Sequence, residues 1–375
     1  MKVKGVLRGW GKWRAVAVPL MAVMIASAGS TVAWAGTTYP PINKTPHPAT
    51  RTLCGSKPIT VAFLGDFATT WMTITYAELQ KEAAKCPNVK VEQLNSGYNE
   101  QQAIANIQTV TAEGVNAIVG YFAFGQAELP ALTAAYKAGI VVVPFDSPVG
   151  GAAGVNFTDY VGFDAATIGS NDANWMAKEI HGKGNVIYLG GAAGNSFSAG
   201  IFKGFKARLK AAYPKVKILT GAAVPTQWTE SNTQQVMAGL FARFRSIQGV
   251  VSDYGAAGVG ALRAYVAARK PMPPFATDAT SNELSCFYLL NKSKSPKAAL
   301  YAQDGTTRLV EVAFRKALAA AEGTKDPEAS TVSMYQFINT TVKRAALQPR
   351  CATNLPPGAD LSSDLSVAAQ VSLLG

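Results

Sequence analysis

Histidine is almost missing from this chain: its 375 residues hold only His47 and His181. His47 falls in a stretch rich in proline and threonine, and His181 stands beside Gly182 at an apparent helix end. No third histidine exists to complete a metal site or to act as a general base. The sequence also has no G-x-S-x-G elbow, no Walker loop and no G-x-G-x-x-G after its first apolar run. The usual signatures of acyl transfer, nucleotide hydrolysis and dinucleotide binding are therefore absent. Gly190 to Gly194 does follow a strand-like run and precede a helical one, but without a lysine at P-loop spacing it is a weak phosphate cradle. No C-x-x-C occurs. Beyond residue 35, no apolar run approaches the ~20 residues that a membrane span needs. No metal and no cofactor is expected.

Acidic residues are the scarcer sign, 23 against 35 basic, for a net charge of +12. Five of the basic residues, Lys2, Lys4, Arg8, Lys12 and Arg14, lie in the first 35 with no acidic partner, which leaves 12 − 5 = +7 for the remainder. Those charges are scattered, which describes a solvated surface rather than a nucleic-acid footprint. The basic head, the short apolar run Ala15 to Ala28 and Ala33-Trp34-Ala35 together form a secretory signal pattern, with cleavage after Ala35. A retained N-terminal anchor is the alternative. Cleavage leaves 375 − 35 = 340 residues, which suits two domains of about 150 residues each. In an exported chain, Cys54, Cys86, Cys286 and Cys351 favour two disulfides over metal or redox chemistry. Of the three possible pairings the local one is expected, Cys54 with Cys86 and Cys286 with Cys351.

Gly36 to Thr50 has no periodicity, and residues 36–58 read as a flexible leader. From Ile59 onward, short apolar runs alternate with stretches of helical spacing. The runs are Ile59 to Leu64, Val89 to Leu94, Val115 to Tyr121, Ile140 to Phe145, Asn185 to Leu189, Val216 to Val224, Val250 to Tyr254, Phe275 to Thr277 and Ala298 to Ala302. Most are apolar on both faces, as strands buried in a parallel sheet must be. Between them lie single-faced helical stripes: Met72, Tyr76, Leu79 and Ala83; Ile104, Ile107 and Thr111; Ile201, Phe205, Leu209 and Ala212; Val236, Leu240 and Phe244. About nine such units exceed one small doubly wound domain. The expected fold class is therefore α/β, two Rossmann-like doubly wound parallel-sheet lobes with a cleft between them.

Ligands of open parallel sheets bind beyond the carboxyl ends of the strands. The residues following each run are Asp66 to Trp71, Asp146-Ser147, Gly190 to Ser198 with Asn195 and Phe197, Gln227-Trp228, Asp253-Tyr254, Asp278, and Gln303-Asp304. They are short of lysine, arginine and histidine and long in aspartate, amide and aromatic groups. Carboxylates accept strong hydrogen bonds from hydroxyls, and flat rings pack against C–H faces, so the mix suits a sugar or polyol. Helix capping by each aspartate is the plain alternative. A pair such as Asp66 and Asp146 could also serve glycoside hydrolysis, the less favoured reading.

In their order, these elements resemble the ribose-binding group of periplasmic sugar-binding proteins, the type I partners of ABC importers. The resemblance runs from about Ile59 to Thr340. It is carried by Ile59 to Gly65 with a helix near Trp71, Val142-Val143-Pro144-Phe145-Asp146, Gly194-Asn195-Ser196 leading to Lys203-Gly204-Phe205, Gly260 to Ala264 after Asp253-Tyr254, Thr277-Asp278, and Ala302-Gln303. It implies three hinge crossings joining a first lobe, residues 59–162 plus 304–340, to a second lobe, residues 163–303, with a C-terminal extension over 341–375. By position it places ligand contacts on Asp66, Thr69, Trp71, Met72, Asp146 and Ser147, and on Ala199, Trp228, Tyr254, Asp278 and Gln303. The group's sugar-binding arginines would fall near Ser147 and Ala199, and its usual asparagine on Tyr254, which argues against ribose itself. The implied function is that of a monomeric, periplasmic substrate-binding protein that closes on a small sugar or polyol and delivers it to the membrane permease. It would not be an enzyme. A sensor that presents its ligand to a chemoreceptor or kinase is the alternative; a repressor is rejected, because a signal and leader stand where its DNA-reading helices would be.

Overall fold

The run Ile59 to Gly65 is apolar on both faces because it becomes an inner strand, β1, buried over nearly its whole length. The computed structural model describes residues 49–67 and 69–375, all within one compact unit. The expected signal, its cleavage site and residues 36–48 of the leader lie outside the described residues. The rest of that leader is not loose. Thr50–Leu53 forms a short helix, α1, with Leu53 buried. Thr50 donates to Glu82, and the Cys54–Cys86 disulfide clamps the segment down.

After β1 come α2 (Thr70–Ala83), β2 (Val89–Asn95), α3 (Glu100–Glu113), β3 (Ala117–Gly120), α4 (Leu129–Lys137) and β4 (Val141–Pro144). The four strands form a wholly parallel sheet in the order β2-β1-β3-β4. Thr69 and Asn99 cap α2 and α3 by accepting from the amides of Met72 and Gln102. Helix α2 buries Met72, Leu79 and Ala83 as its stripe predicts. Helix α3 instead buries Ala103, Asn106, Ile107 and Val110. That face is rotated from the Ile104 stripe, because Ala103 and Asn106 pack inward without carrying a hydrophobic signal.

The chain then runs through β5 (Gly162–Phe163) and α5 (Ala165–Glu179) into a second series. It comprises β6 (Gly184–Gly190), α6 (Ser196–Ala212), β7 (Val216–Ile218), β8 (Val224–Pro225), α7 (Glu230–Arg243), β9 (Gly249–Ser252), α8 (Gly255–Ala267), β10 (Phe275–Asp278), α9 (Asn282–Asn291) and β11 (Leu300–Asp304). Last come α10 (Leu309–Ala321), β12 (Thr331–Val332), β13 (Tyr335–Asn339) and α11 (Val367–Leu374). The second sheet has the order β13-β11-β10-β9-β6-β7, with β8 also on β6. The run Val216 to Val224 is broken into β7 and β8 by a turn through Gly221, whose φ is +70°. Helices α5 and α6 cross so closely that a Cβ on Gly169 would sit 2.0 Å from the Ile201 carbonyl oxygen; only glycine fits there.

Two α/β lobes result, as expected, but the path between them differs from expectation. Helix α10 packs on α2, β3 and β4, and β12 pairs with β5. The chain does not then stay with the first lobe to residue 340. Strand β13 returns antiparallel to β11 in the second sheet, Ile338 opposite Ala302. The extension is also docked. Cys351 is bonded to Cys286 of α9, and the Asn282 side chain holds the backbone of Ala352 and Leu355 at 2.9 and 3.0 Å. Further on, Ser363 and Asp364 reach Glu78 of α2, Asp360 accepts from Thr307, and Lys81 pairs with Asp364 at 2.8 Å. Both disulfides are those favoured from sequence. Among the described residues no helix is long and apolar enough to cross a membrane.

Candidate functional site

The carboxyl ends of both sheets open onto one cavity holding about 550 Å³ of space between atoms, its open mouth included. From the first lobe it is lined by Asp66 after β1, Thr69, Trp71 and Met72 at the start of α2, Tyr98 after β2, Tyr121 after β3 and Asp146 after β4. The second lobe supplies Phe197, Trp228, Asp253, Tyr254, Asp278 and Ala279; Thr306 and Met334 come from the returning segments. Nine of the twelve residues expected at the site are therefore brought together: Asp66, Thr69, Trp71, Met72, Asp146, Phe197, Trp228, Tyr254 and Asp278.

Three are not on the wall. Ser147 is fully buried, with its hydroxyl 3.2 Å from that of Ser196. Asn195 caps α6 and donates to the Tyr121 hydroxyl at 3.2 Å, a contact across the cleft. Gln303 lies behind Asp278, donating to it at 3.3 Å and to Asp172 at 3.1 Å while accepting from Asn171 at 2.8 Å. These three hold neighbours in place. Ala199, implied by the resemblance, is exposed on α6 and does not line the cavity. Tyr98, Tyr121, Ala279, Thr306 and Met334 were missed, and Asp253 was read only as a strand end. Tyr98 could have been found by reading the end of β2 as the other strand ends were read. Tyr121 closed an apolar run and looked like core.

Several rings are oriented by hydrogen bonds. Trp71 donates through Nε1 to Thr306 Oγ1 at 2.9 Å and lies edge-on to Tyr121 with centroids 5.6 Å apart. Trp228 donates to Asp253 Oδ1 at 3.1 Å. Its indole occupies the space above Gly191, where an added Cβ would come within 1.9 Å of the ring. Asp253 also accepts from Ser198 and, at 3.2 Å, from the Gly191 amide.

Electrostatically the cavity is one-sided. Asp66, Asp146, Asp253 and Asp278 are all buried, and no lysine, arginine or histidine stands among the described lining residues. Burial pushes the Asp146 carboxyl up to about 7 and that of Asp253 up to about 6, the latter restrained by its Ser198, Trp228 and Gly191 donors. Asp278 is raised further by burial and by Asp172 and Asp253. Oδ1 of Asp146 and Oδ2 of Asp278 are buried with no hydrogen-bond partner. Backbone strain gathers here too. Tyr98, Asp146, Trp228 and Ala279 have φ of 56°, 62°, 52° and 49°, four of the seven non-glycine residues in the left-handed region among those described. Such strain persists where surrounding structure imposes it and is concentrated at functional sites.

Comparison with known proteins agrees with this architecture. The ribose import binding protein of Haemophilus influenzae is 26% identical over 193 residues, covering 52% of this chain and 64% of that protein. Two solved structures share the fold. A fructose-binding periplasmic domain of a hybrid two-component system has a TM-score of 0.66 at 20% identity, covering 76% of this chain and 91% of its own. The periplasmic component of the arabinose ABC transporter from Shewanella sp. ANA-3 has a TM-score of 0.65 at 19% identity, covering 74% and 91%. Residues 61–325 match the profile of the periplasmic binding protein domain, 265 of the 375 residues. The chain belongs to the periplasmic binding protein family, in its ribose-binding-like, type I form.

Proposed function

We infer that this chain is the substrate-binding protein of an ABC importer, capturing a small sugar or polyol between its lobes and delivering it to a membrane permease. The observation that carries the reading is the cavity itself, walled by aspartates and aromatic rings from the carboxyl ends of two separate sheets. A ligand there touches both lobes at once, so it stabilises the closed arrangement through contacts that an open one lacks. Asp66, Asp146 and Asp278 accept from hydroxyls; Trp71, Trp228 and Phe197 cover the C–H faces; Ser147, Asn195 and Gln303 position them. The proposed hinge joins a first lobe of residues 59–162 and 304–332 to a second of residues 163–303 and 333–350, a division that the strand pairings support. The chain works as an exported monomer in the periplasm, without catalysis, its signal removed after Ala35.

The likeness to a fructose-binding domain of a two-component system supports a second reading, in which the same closure is presented to a sensor kinase. A thermal-shift screen of ribose, arabinose, fructose and myo-inositol tests what both readings share, since a ligand bound only by the native state raises the melting temperature. At least one sugar or polyol is expected to raise it in a saturable way. Turnover of a glycoside by the purified protein would contradict both.

A further inference from the structure

We propose that the ligand of this cleft carries a protonated amine beside its hydroxyls, as an aminosugar does. The inference rests on the reading of the cleft as a sugar site and narrows it. A neutral polyol leaves an unbalanced arrangement: four buried carboxylates face one cavity with no basic side chain among the described lining residues. Sealing that cavity around an uncharged molecule leaves these groups, pushed toward their protonated forms by burial, with no positive charge to ionise against. Two of the lining carboxylates carry a buried oxygen with no hydrogen-bond partner, Asp146 Oδ1 from the first lobe and Asp278 Oδ2 from the second. An ammonium has three donors and no acceptor, so it suits a wall of acceptors such as these. Trp71, Tyr98, Tyr121, Trp228 and Tyr254 surround the same space, and ring faces attract a cation.

No titratable group facing Asp146 supplies the missing charge. Tyr121 and Tyr160 lie against it and are themselves pushed up by burial and by its charge. Tyr98 and Tyr254 are phenols raised by burial, and Asp66, Asp253 and Asp278 are carboxylates. The Trp228 ring is held in place by its hydrogen bond to Asp253 Oδ1 at 3.1 Å.

The test compares three forms of each of three sugar skeletons on the full exported chain by thermal shift and calorimetry. The amines are D-glucosamine, D-galactosamine and D-mannosamine; the neutral partners are glucose, galactose and mannose, and the N-acetyl derivatives of the amines; arabinose and fructose are controls. At least one amine is expected to bind about tenfold or more tighter than its neutral parent and its N-acetyl form, the margin of a charge-assisted over a neutral contact. At about pH 6, its binding should release protons to the buffer, because an ammonium favours the ionised carboxylates. Asp146→Asn should erase most of that preference while altering affinity for neutral sugars less. Neutral parents binding as well as the amines, or no amine binding across about pH 6 to 8, overturns the proposal. Binding by neutral sugars alone still leaves the cleft a sugar site; no shift from either set defeats both.

Discussion

Asp146 gives the sharpest test of the site, because its worth to binding and its effect on folding have opposite signs. Burial holds its carboxyl at about 7 against an ordinary value of 3.8. The folded state therefore prefers the protonated form. Below the unfolded value both states are protonated and nothing is lost; as pH rises through the interval, folding must expel a proton or bury a charge. Above about pH 7 the full penalty applies, roughly 3 pH units at 1.36 kcal/mol each, or about 4 kcal/mol. Asp146→Asn removes the charge and keeps the shape, and asparagine tolerates the left-handed backbone found there. Its amide N–H must find a partner, at a cost of about 1 kcal/mol. The ligand-free variant should thus be more stable than the parent by about 2–3 kcal/mol at pH 8 and nearly equal to it at pH 4. Urea unfolding at both pH values measures this, and the other buried carboxylates, common to both proteins, cancel in the difference. Equal stabilities at pH 8, or a variant destabilised alike at both, would refute the idea that this carboxylate is held ready at the expense of stability.

Two further outcomes follow from the same geometry. Trp228→Ala should weaken binding of the best sugar from the screen by ~1–3 kcal/mol, since it removes a ring face from the wall; undiminished affinity in calorimetry removes Trp228 from the site. Replacing both Cys286 and Cys351 by serine opens a loop spanning 65 residues, for which chain entropy gives about 4 kcal/mol of lost stability in denaturant unfolding. The Cys54–Cys86 pair closes 32 residues and should cost slightly less on the same measure; no loss from either would mean that the docked ends are held by their other contacts.

What the sequence revealed and what it hid divide along physical lines. Strands such as β1, β4 and β6 were legible because a strand buried on both faces must be an apolar run, and Asp66, Asp146 and Asp278 were legible because they end such runs. Tyr121 was not, because its ring belongs to core and cavity alike: it is buried, packs against Trp71 and carries the hydroxyl that meets Asn195. Strand β13 was hidden by its place at the sheet edge, where Tyr335–Asn339 is only partly buried and pairs antiparallel. The tail was hidden for a different reason. It docks through buried polar groups rather than an apolar stripe. Asp360 accepts from Thr307 and from the Ser362 amide, Ser362 accepts from Gly305 at the hinge, and the Gln370 side chain accepts from the Asp360 amide and donates to its carbonyl. No periodicity marks such contacts, since their partners lie two, ten or more than fifty residues away. The consequence is a fourth link between the lobes, fixed on α9 by a disulfide and on α2 by Glu78 and Lys81, and lying against the hinge at Gly305. Under the proposed hinge closure, opening of the cleft must stretch or release that link, which gives the tail a part in setting the balance between open and closed.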